Sequence, residues 1–149
     1  MKKISIFILT LFVSLQVVAK DRLEIFKDYD LGEEILSVTT VKVDPNMEDV
    51  YLAGLTKSWI KAVKLQKELG YIKDWKIWAS ELPQSGDFNL VLTVTFASSA
   101  DLDPNKDKYN AFMKKWGEEN QKVSEETSAT YPDVRELTGE YRLRQVIMK

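Results

Sequence analysis

The segment Phe88–Ala97 has the pattern of a β-strand that is apolar on both faces, and this most constrains the fold. One face would carry Leu90, Leu92, Val94 and Phe96, and the other Val91, Thr93 and Thr95. Successive side chains of a strand point to opposite faces, so a strand with one solvated face shows polar residues at every second position. We therefore expect this strand to be covered on both sides.

Three more segments have strand patterns. Ile35–Val43 is rich in Val and Thr, and Asp44-Pro45-Asn46 ends it. Tyr71–Leu82 is followed by a turn-forming stretch, which predicts an antiparallel hairpin with Phe88–Ala97. Glu140–Met148, after Gly139, alternates in character and is predicted as the last strand.

Two segments have helical periodicity. Met47–Leu69 is predicted as one amphipathic helix, ended by Gly70. Its apolar stripe recurs every four residues at Met47, Tyr51, Leu55, Trp59 and Val63. A second helix is predicted over Asn105–Asn120, with Gly117 as a point of kinking or interruption, and helical tendency continues to Ala129. Its buried stripe is predicted as Tyr109, Phe112, Met113 and Trp116.

The order strand, helix, strand, strand, helix, strand is that of an α+β, ferredoxin-like βαββαβ domain over residues 35–149. Two helices would pack on one face of a four-stranded antiparallel sheet. The other face would stay apolar, because Leu36 and Val38 add to the second face of Phe88–Ala97. A second copy of the chain is the simplest cover, so we expect a homodimer that packs sheet to sheet.

The chain resembles the dimeric α+β barrel superfamily, which includes antibiotic-biosynthesis monooxygenase-like proteins, stress-responsive barrel proteins and exported members. The resemblance spans about Ile35 to Met148 and rests on the element order and on the segments Val41–Met47 and Gly70–Trp75. It implies a dimer of ferredoxin-like domains. The haem-binding branches use histidine, which this chain lacks, so no catalytic residue is carried over.

Residues 1–19 have the pattern of a signal peptide. Lys2 and Lys3 precede an apolar stretch from Ile4 to Leu15, and Ala19 supplies a small residue for cleavage. A retained membrane anchor is the alternative, but a spanning helix needs about 20 apolar residues. We expect an exported protein, periplasmic or secreted, with residues 20–34 as an N-terminal arm that docks on the domain or adds a strand at an edge.

Composition excludes several kinds of chemistry. The chain contains neither cysteine nor histidine, which removes thiol nucleophiles, histidine bases and the usual zinc ligands. We therefore expect no cofactor and no metal. Loss of the leader would change the formal charge from −2 to −4, and this acidity argues against nucleic acid and against anionic membrane surfaces as partners.

Candidate ligand-binding residues are aromatic, amide and guanidinium side chains, namely Trp75, Trp78, Asn89, Tyr141, Arg142 and Arg144. Trp75 and Trp78 differ in strand parity, so one of them must leave the helix-covered side and is the better pocket candidate. Arg142 and Arg144 would share one face and could bind an anion, or else pair with Glu136 or Glu140.

Three functions remain open. The first is a homodimeric protein that binds a small apolar or aromatic ligand in a cavity between its elements. The second is a cofactor-free monooxygenase-like enzyme acting on an aromatic substrate, with Asn89, Tyr141 or Trp75 as polar groups. The third is a structural subunit that docks another protein. No catalytic residue is identified, and we favour a non-enzymatic role.

Overall fold

The computed structural model describes residues 22–149; the predicted signal peptide, residues 1–19, lies outside the described residues. The described residues form six strands and three helices in the order β1 (Tyr29–Leu31), β2 (Ile35–Val43), α1 (Glu48–Lys57), α2 (Trp59–Glu68), β3 (Asp74–Ala79), β4 (Leu90–Phe96), α3 (Lys106–Ser128), β5 (Arg135–Leu143) and β6 (Val146–Met148). Short 3-10 turns lie at Ser99–Leu102 and Tyr131–Asp133. Each helix found within residues 22–149 is too short or too polar to span a lipid bilayer.

Strands β2 to β5 form one antiparallel sheet in the spatial order β3-β4-β2-β5. This is the strand order of a ferredoxin-like fold, and the predicted α+β class is confirmed. The first predicted strand, Ile35–Val43, is observed with the predicted bounds, and Phe88–Ala97 forms β4 over Leu90–Phe96. The hairpin of β3 with β4 is also present.

The core lies between one face of this sheet and the helices. Val41 and Val43 of β2 and Leu90 and Leu92 of β4 are buried there against α1. Tyr51 and Leu55 supply the side chains of α1 and are almost fully buried. Burial of side chains of this size contributes about 1.5–3 kcal/mol each, so these strand and helix residues hold the layers together. Burial also raises the pKa of the Tyr51 phenol, against the opposing effect of Arg135.

The predicted single helix over Met47–Leu69 is wrong, because the helix breaks at Ser58. The Ser58 backbone has φ −121° and ψ −92°, and its side chain is buried. The Ser58 hydroxyl lies 2.5 Å from the Tyr131 hydroxyl and also donates to the Gly54 carbonyl. This polar contact with the segment after α3 draws the chain out of helical geometry, although the apolar periodicity runs on across the break.

The third helix is longer than predicted and bends at Gly117, which has φ 74° and ψ 161°. A positive φ is readily available to glycine alone, so the predicted kink at this residue is confirmed. Trp116 is buried and stacks on Phe112 at 5.6 Å between ring centroids. Tyr109 is 63% exposed, so its predicted place in the buried stripe is wrong. The first turn of the helix faces solvent at that position.

The last predicted strand, Glu140–Met148, is divided in two. β5 begins earlier, at Arg135, and ends at Leu143, while β6 forms a separate two-stranded ribbon with β1. Tyr29 pairs with Met148 and Leu31 with Val146, so the predicted N-terminal arm contributes a strand. Lys149 closes the ribbon with bonds to Asp30 and to the Phe26 carbonyl. The ribbon residues lie next to the starting end of β2.

Candidate functional site

The second face of the four-stranded sheet points away from the helices, and we call it the open face. Its central rows follow from the strand register. The open face includes Leu36, Val38, Thr40, Asp74, Lys76, Trp78, Val91, Thr93, Thr95, Gly139, Tyr141 and Leu143. Lys76, Thr93, Val38 and Tyr141 form one row across the sheet, and Trp78, Val91, Thr40 and Gly139 form the next.

The open face exposes large apolar side chains. Trp78 is 55% exposed, Tyr141 52% and Leu143 48%. They belong to three successive rows and lie on the outer strands, with Val38 and Val91 partly exposed between them. Single exposed apolar residues are common, but a contiguous apolar patch marks an interaction or ligand surface.

The two central threonine hydroxyls of the open face are already bonded within the chain. The Thr40 hydroxyl donates to the Gly139 carbonyl and accepts from Thr138 at 2.9 Å. The Thr93 hydroxyl donates to the Lys76 carbonyl and accepts from the Trp78 indole N–H at 3.4 Å. Both threonines are buried. The floor of the open face therefore offers few free hydrogen-bonding groups, and contact with an apolar surface costs little desolvation.

The two strand tryptophans separate as their parity predicts. Trp75 lies on the helix side, where its ring meets Trp59 of α2 edge to face at 5.7 Å between centroids. Trp78 lies on the open face, with the Lys76 ammonium 5.6 Å from its ring centroid. Trp78 is thus the candidate pocket residue of the pair, and Trp75 has a packing role.

Asn89 is buried, and its amide serves the backbone. Its side-chain oxygen accepts from the Val43 N–H and its side-chain nitrogen donates to the Val43 carbonyl, both at 2.8 Å. The pairing between β2 and β4 ends at Val41–Leu90. Beyond that point, the Asn89 amide supplies the hydrogen bonds to the Val43 backbone. The geometry gives Asn89 a structural role and leaves no free amide group to meet a ligand.

Arg142 and Arg144 do not share a strand face, contrary to the sequence expectation, because β5 ends at Leu143. Arg142 pairs in register with Ser37 and lies on the helix side at the sheet edge. Arg144 lies at the turn into the ribbon, where its guanidinium donates to the Gly32 carbonyl at 3.0 Å. Of the predicted site residues, the structure brings Trp78 and Tyr141 to the open face and Arg144 to its end.

A cavity of about 630 Å³ lies between this end of the open face and the ribbon. Leu36, Thr95 and Leu143 of the open face line it, together with Ile147 of β6. Its polar lining comes from Gly32, Glu33, Glu34, Arg144 and Gln145. Glu33 and Ile147 were not predicted as site residues, because no local pattern indicates that β1 would pair with β6.

Lowered carboxyl pKa values occur away from the open-face centre. A hydrogen bond from the Lys67 ammonium holds the pKa of Asp74 below its usual value, and one from Lys108 does the same for Asp101. Each is explained by an ion pair at the surface, with nitrogen–oxygen distances of 2.8 and 3.2 Å. These shifts reflect surface ion pairs that stabilise the charged form of each carboxyl.

No family model matches this sequence, and no curated protein matches it either. Among solved structures the chain is similar to a dimeric ferredoxin-like protein of unknown function from Thermobifida fusca YX. The sequence identity is 11% and the TM-score 0.40, over 78% of this chain and 92% of that chain. The assignment of a ferredoxin-like fold is made on the strand order and register of this chain.

Proposed function

We propose that the protein is an exported homodimer whose two open faces pack against each other and hold a small apolar or aromatic ligand. The observation that carries the proposal is that the open face combines exposed apolar side chains with polar groups that are bonded internally. Trp78, Tyr141 and Leu143 are about half exposed, while the threonine hydroxyls between them are bonded internally. Exposure of such a face to water is unfavourable, and its burial against another apolar surface is favourable.

A second copy is the favoured cover because the open face can meet itself. The open face carries Trp78 on one outer strand and Tyr141 and Leu143 on the other, while the small residues Thr40 and Thr93 lie on the two central strands. Most soluble oligomers are homo-oligomers with two-fold symmetry, in which one patch serves both subunits. The small central residues leave room between the packed aromatic rings, and that room is the proposed ligand site.

The dimer is tested by sedimentation velocity over a range of protein concentrations. We expect a dimer at micromolar concentration, and we expect Val38→Glu and Tyr141→Glu each to produce a monomer, because a buried unpaired carboxylate is costly. Lys115→Glu on the exposed side of α3 is the matched control and should remain dimeric. A wild-type monomer at high micromolar concentration would overturn the proposal.

Ligand binding is tested with the neutral aromatic dye N-phenyl-1-naphthylamine. We expect a blue-shifted emission on binding, and roughly tenfold weaker binding in Trp78→Ala, since loss of one large aromatic contact is worth more than 1 kcal/mol. Lys115→Glu should bind as the wild type does. Equal binding by wild type and Trp78→Ala would remove the open face as the ligand site.

Export is tested by expression of the full chain in a Gram-negative host with fractionation and mass spectrometry. We expect periplasmic or secreted protein that begins at Lys20, the residue after the predicted cleavage site. Protein that keeps residues 1–19 and stays in the membrane fraction would contradict the predicted cleavage.

A further inference from the structure

The cavity beneath the ribbon combines an apolar floor with charged residues of both signs. Its volume of about 630 Å³ lies within the range of small-molecule sites, roughly 300–1,000 Å³. Leu36 and Leu143 form apolar parts of the floor, and Ile147 adds an apolar side chain from β6. The charged lining residues are Glu33, Glu34 and Arg144.

One of these charges already has a partner. The Glu34 carboxylate accepts a hydrogen bond from the Lys73 ammonium, so this pair is neutral as a whole. Within residues 22–149, neither Glu33 nor Arg144 forms an ion pair, although both line the same cavity. The cavity thus presents an anion and a cation that do not neutralise each other.

The Arg144 guanidinium retains donors for a ligand. It has five N–H donors in a planar fork, and one of its terminal nitrogens donates to the Gly32 carbonyl at 3.0 Å. That bond anchors the side chain at the ribbon turn, where the Gly32 N–H also donates to the Gln145 carbonyl at 2.8 Å. An anchored guanidinium loses less side-chain entropy when it binds a carboxylate.

We propose that this cavity binds a zwitterion with an apolar body, of the α-amino acid type. The ligand carboxylate would accept from Arg144, and its ammonium group would donate to Glu33. Its side chain would lie on Leu36, Leu143 and Ile147. A simple organic anion would meet the repulsion of Glu33, and a simple organic cation that of Arg144, so each would satisfy one charge at the expense of the other.

The inference rests on the proposed ligand-binding function but does not depend on self-association. All the lining residues come from one chain, because the ribbon and the open face belong to the same protomer. The cavity shares Leu36, Thr95 and Leu143 with the open face. It therefore adds a charged site at the end of the open face, two rows away from Trp78.

The test uses three compounds that share one phenylalkyl body. Isothermal titration calorimetry of the exported protein would compare L-phenylalanine, 3-phenylpropionate and 2-phenylethylammonium at low ionic strength. We expect L-phenylalanine to bind at least tenfold more tightly than either analogue. The inference would be overturned if the three affinities were equal or if a singly charged analogue bound most tightly. It would also be overturned if L-phenylalanine at 10-fold excess over about 1 mM protein gave no heat of binding.

Two charge-removing variants assign the ends of the ligand. Arg144→Gln should reduce the affinity for L-phenylalanine about tenfold and should not weaken that for 2-phenylethylammonium. Glu33→Gln should reduce the affinity for L-phenylalanine similarly and should not weaken that for 3-phenylpropionate. Lys115→Gln and Glu119→Gln on α3 are matched controls that should leave all three affinities unchanged. A loss of equal size in the control variants would contradict a specific site.

Failure of this inference can be separated from failure of the proposed function. If N-phenyl-1-naphthylamine binds at Trp78 while L-phenylalanine does not, the open face binds ligands and the zwitterion site is wrong. If L-phenylalanine binds with the expected charge dependence while sedimentation shows a monomer, the cavity site stands and the dimer is wrong.

Discussion

The phenol ring of Tyr141 lies directly over Gly139, two residues before it on β5. A Cβ atom at position 139 would fall 2.7 Å from the Tyr141 hydroxyl oxygen and 2.8 Å from Cε2 of the ring. The hydroxyl of Thr40 would lie 3.0 Å away on the neighbouring strand. The missing side chain therefore sets the position of the ring on the open face.

We predict that Gly139→Ala displaces the Tyr141 ring at little cost to stability. The ring is 52% exposed and can turn outward, so the loss in free energy of unfolding should stay below about 1 kcal/mol, under the usual range for overpacking. The displaced ring should weaken self-association at least tenfold in sedimentation. If Gly139→Ala associated as strongly as the wild type, the position of the Tyr141 ring would not matter for self-association.

A second glycine offers the opposite case. A Cβ at Gly54 of α1 would lie 2.8 Å from a ring carbon of Tyr131, which is buried and bonded to Ser58. Overpacking costs about 1–3 kcal/mol, and the better helix propensity of alanine returns up to about 1 kcal/mol. We predict a net loss of roughly 1–2 kcal/mol for Gly54→Ala in urea unfolding, with association unchanged after refolding. A stabilised variant would show that Tyr131 is free to move.

Asn89→Ala should be more destabilising than either glycine variant. The change leaves the N–H and the carbonyl of Val43 without their bonds in a buried site. Each unsatisfied group costs about 1–3 kcal/mol, so we expect a loss of about 2–4 kcal/mol in chemical denaturation. Asn89→Asp is the matched variant. It keeps an oxygen that accepts from the Val43 N–H, but it places its second oxygen against the Val43 carbonyl, where the amide nitrogen donated. This variant should also be clearly destabilised. Ligand affinity measured on the remaining folded protein should be unchanged, since the amide does not meet the ligand.

The pair of Asp101 and Lys108 predicts a pH dependence of stability. The Lys108 hydrogen bond, followed by the Ser98 backbone, holds the pKa of the Asp101 carboxyl below its ordinary value of 3.8. A carboxyl with a lowered folded-state pKa stabilises the fold above the unfolded value, and this contribution is lost as the pH falls through the folded value. Asp101→Asn should therefore lower the Tm at pH 7.

The control for this prediction is the same comparison in acid. As the pH falls from 7 through the folded-state pKa of Asp101, the carboxyl takes up a proton and becomes neutral like the asparagine side chain, so the difference in Tm between wild type and Asp101→Asn should shrink toward zero. A difference of equal size at both pH values would assign the effect of the substitution to packing or capping.

Much of the sheet could be predicted from the sequence because local patterns determine it. The Val- and Thr-rich segment Ile35–Val43 indicates one strand, and Phe88–Ala97 indicates another with apolar residues on both faces. The separation of Trp75 from Trp78 follows from strand parity alone. The glycine kink at Gly117 follows from conformational freedom of that residue.

The remaining features depend on contacts distant in sequence. The break at Ser58 is held by Tyr131, and the role of Asn89 depends on Val43. Strands β1 and β6 pair although more than 100 residues separate them in the sequence. No local pattern therefore predicts that Glu33 and Ile147 lie beside the open face. Arg142 and Arg144 do not share a face as expected, because the early end of β5 at Leu143 is not visible in the alternation.

The proposed burial of the open face by a second copy can be tested by thiol reactivity, because the chain contains no cysteine. Val38→Cys places one thiol at the centre of the open face, and Lys115→Cys places one on α3 as the control. We predict that the Cys introduced at position 38 reacts quickly with a thiol reagent at nanomolar protein concentration and many-fold more slowly at tens of micromolar. The control thiol should react at the same rate at both concentrations. Equal rates at both concentrations for the thiol at position 38 would contradict the account.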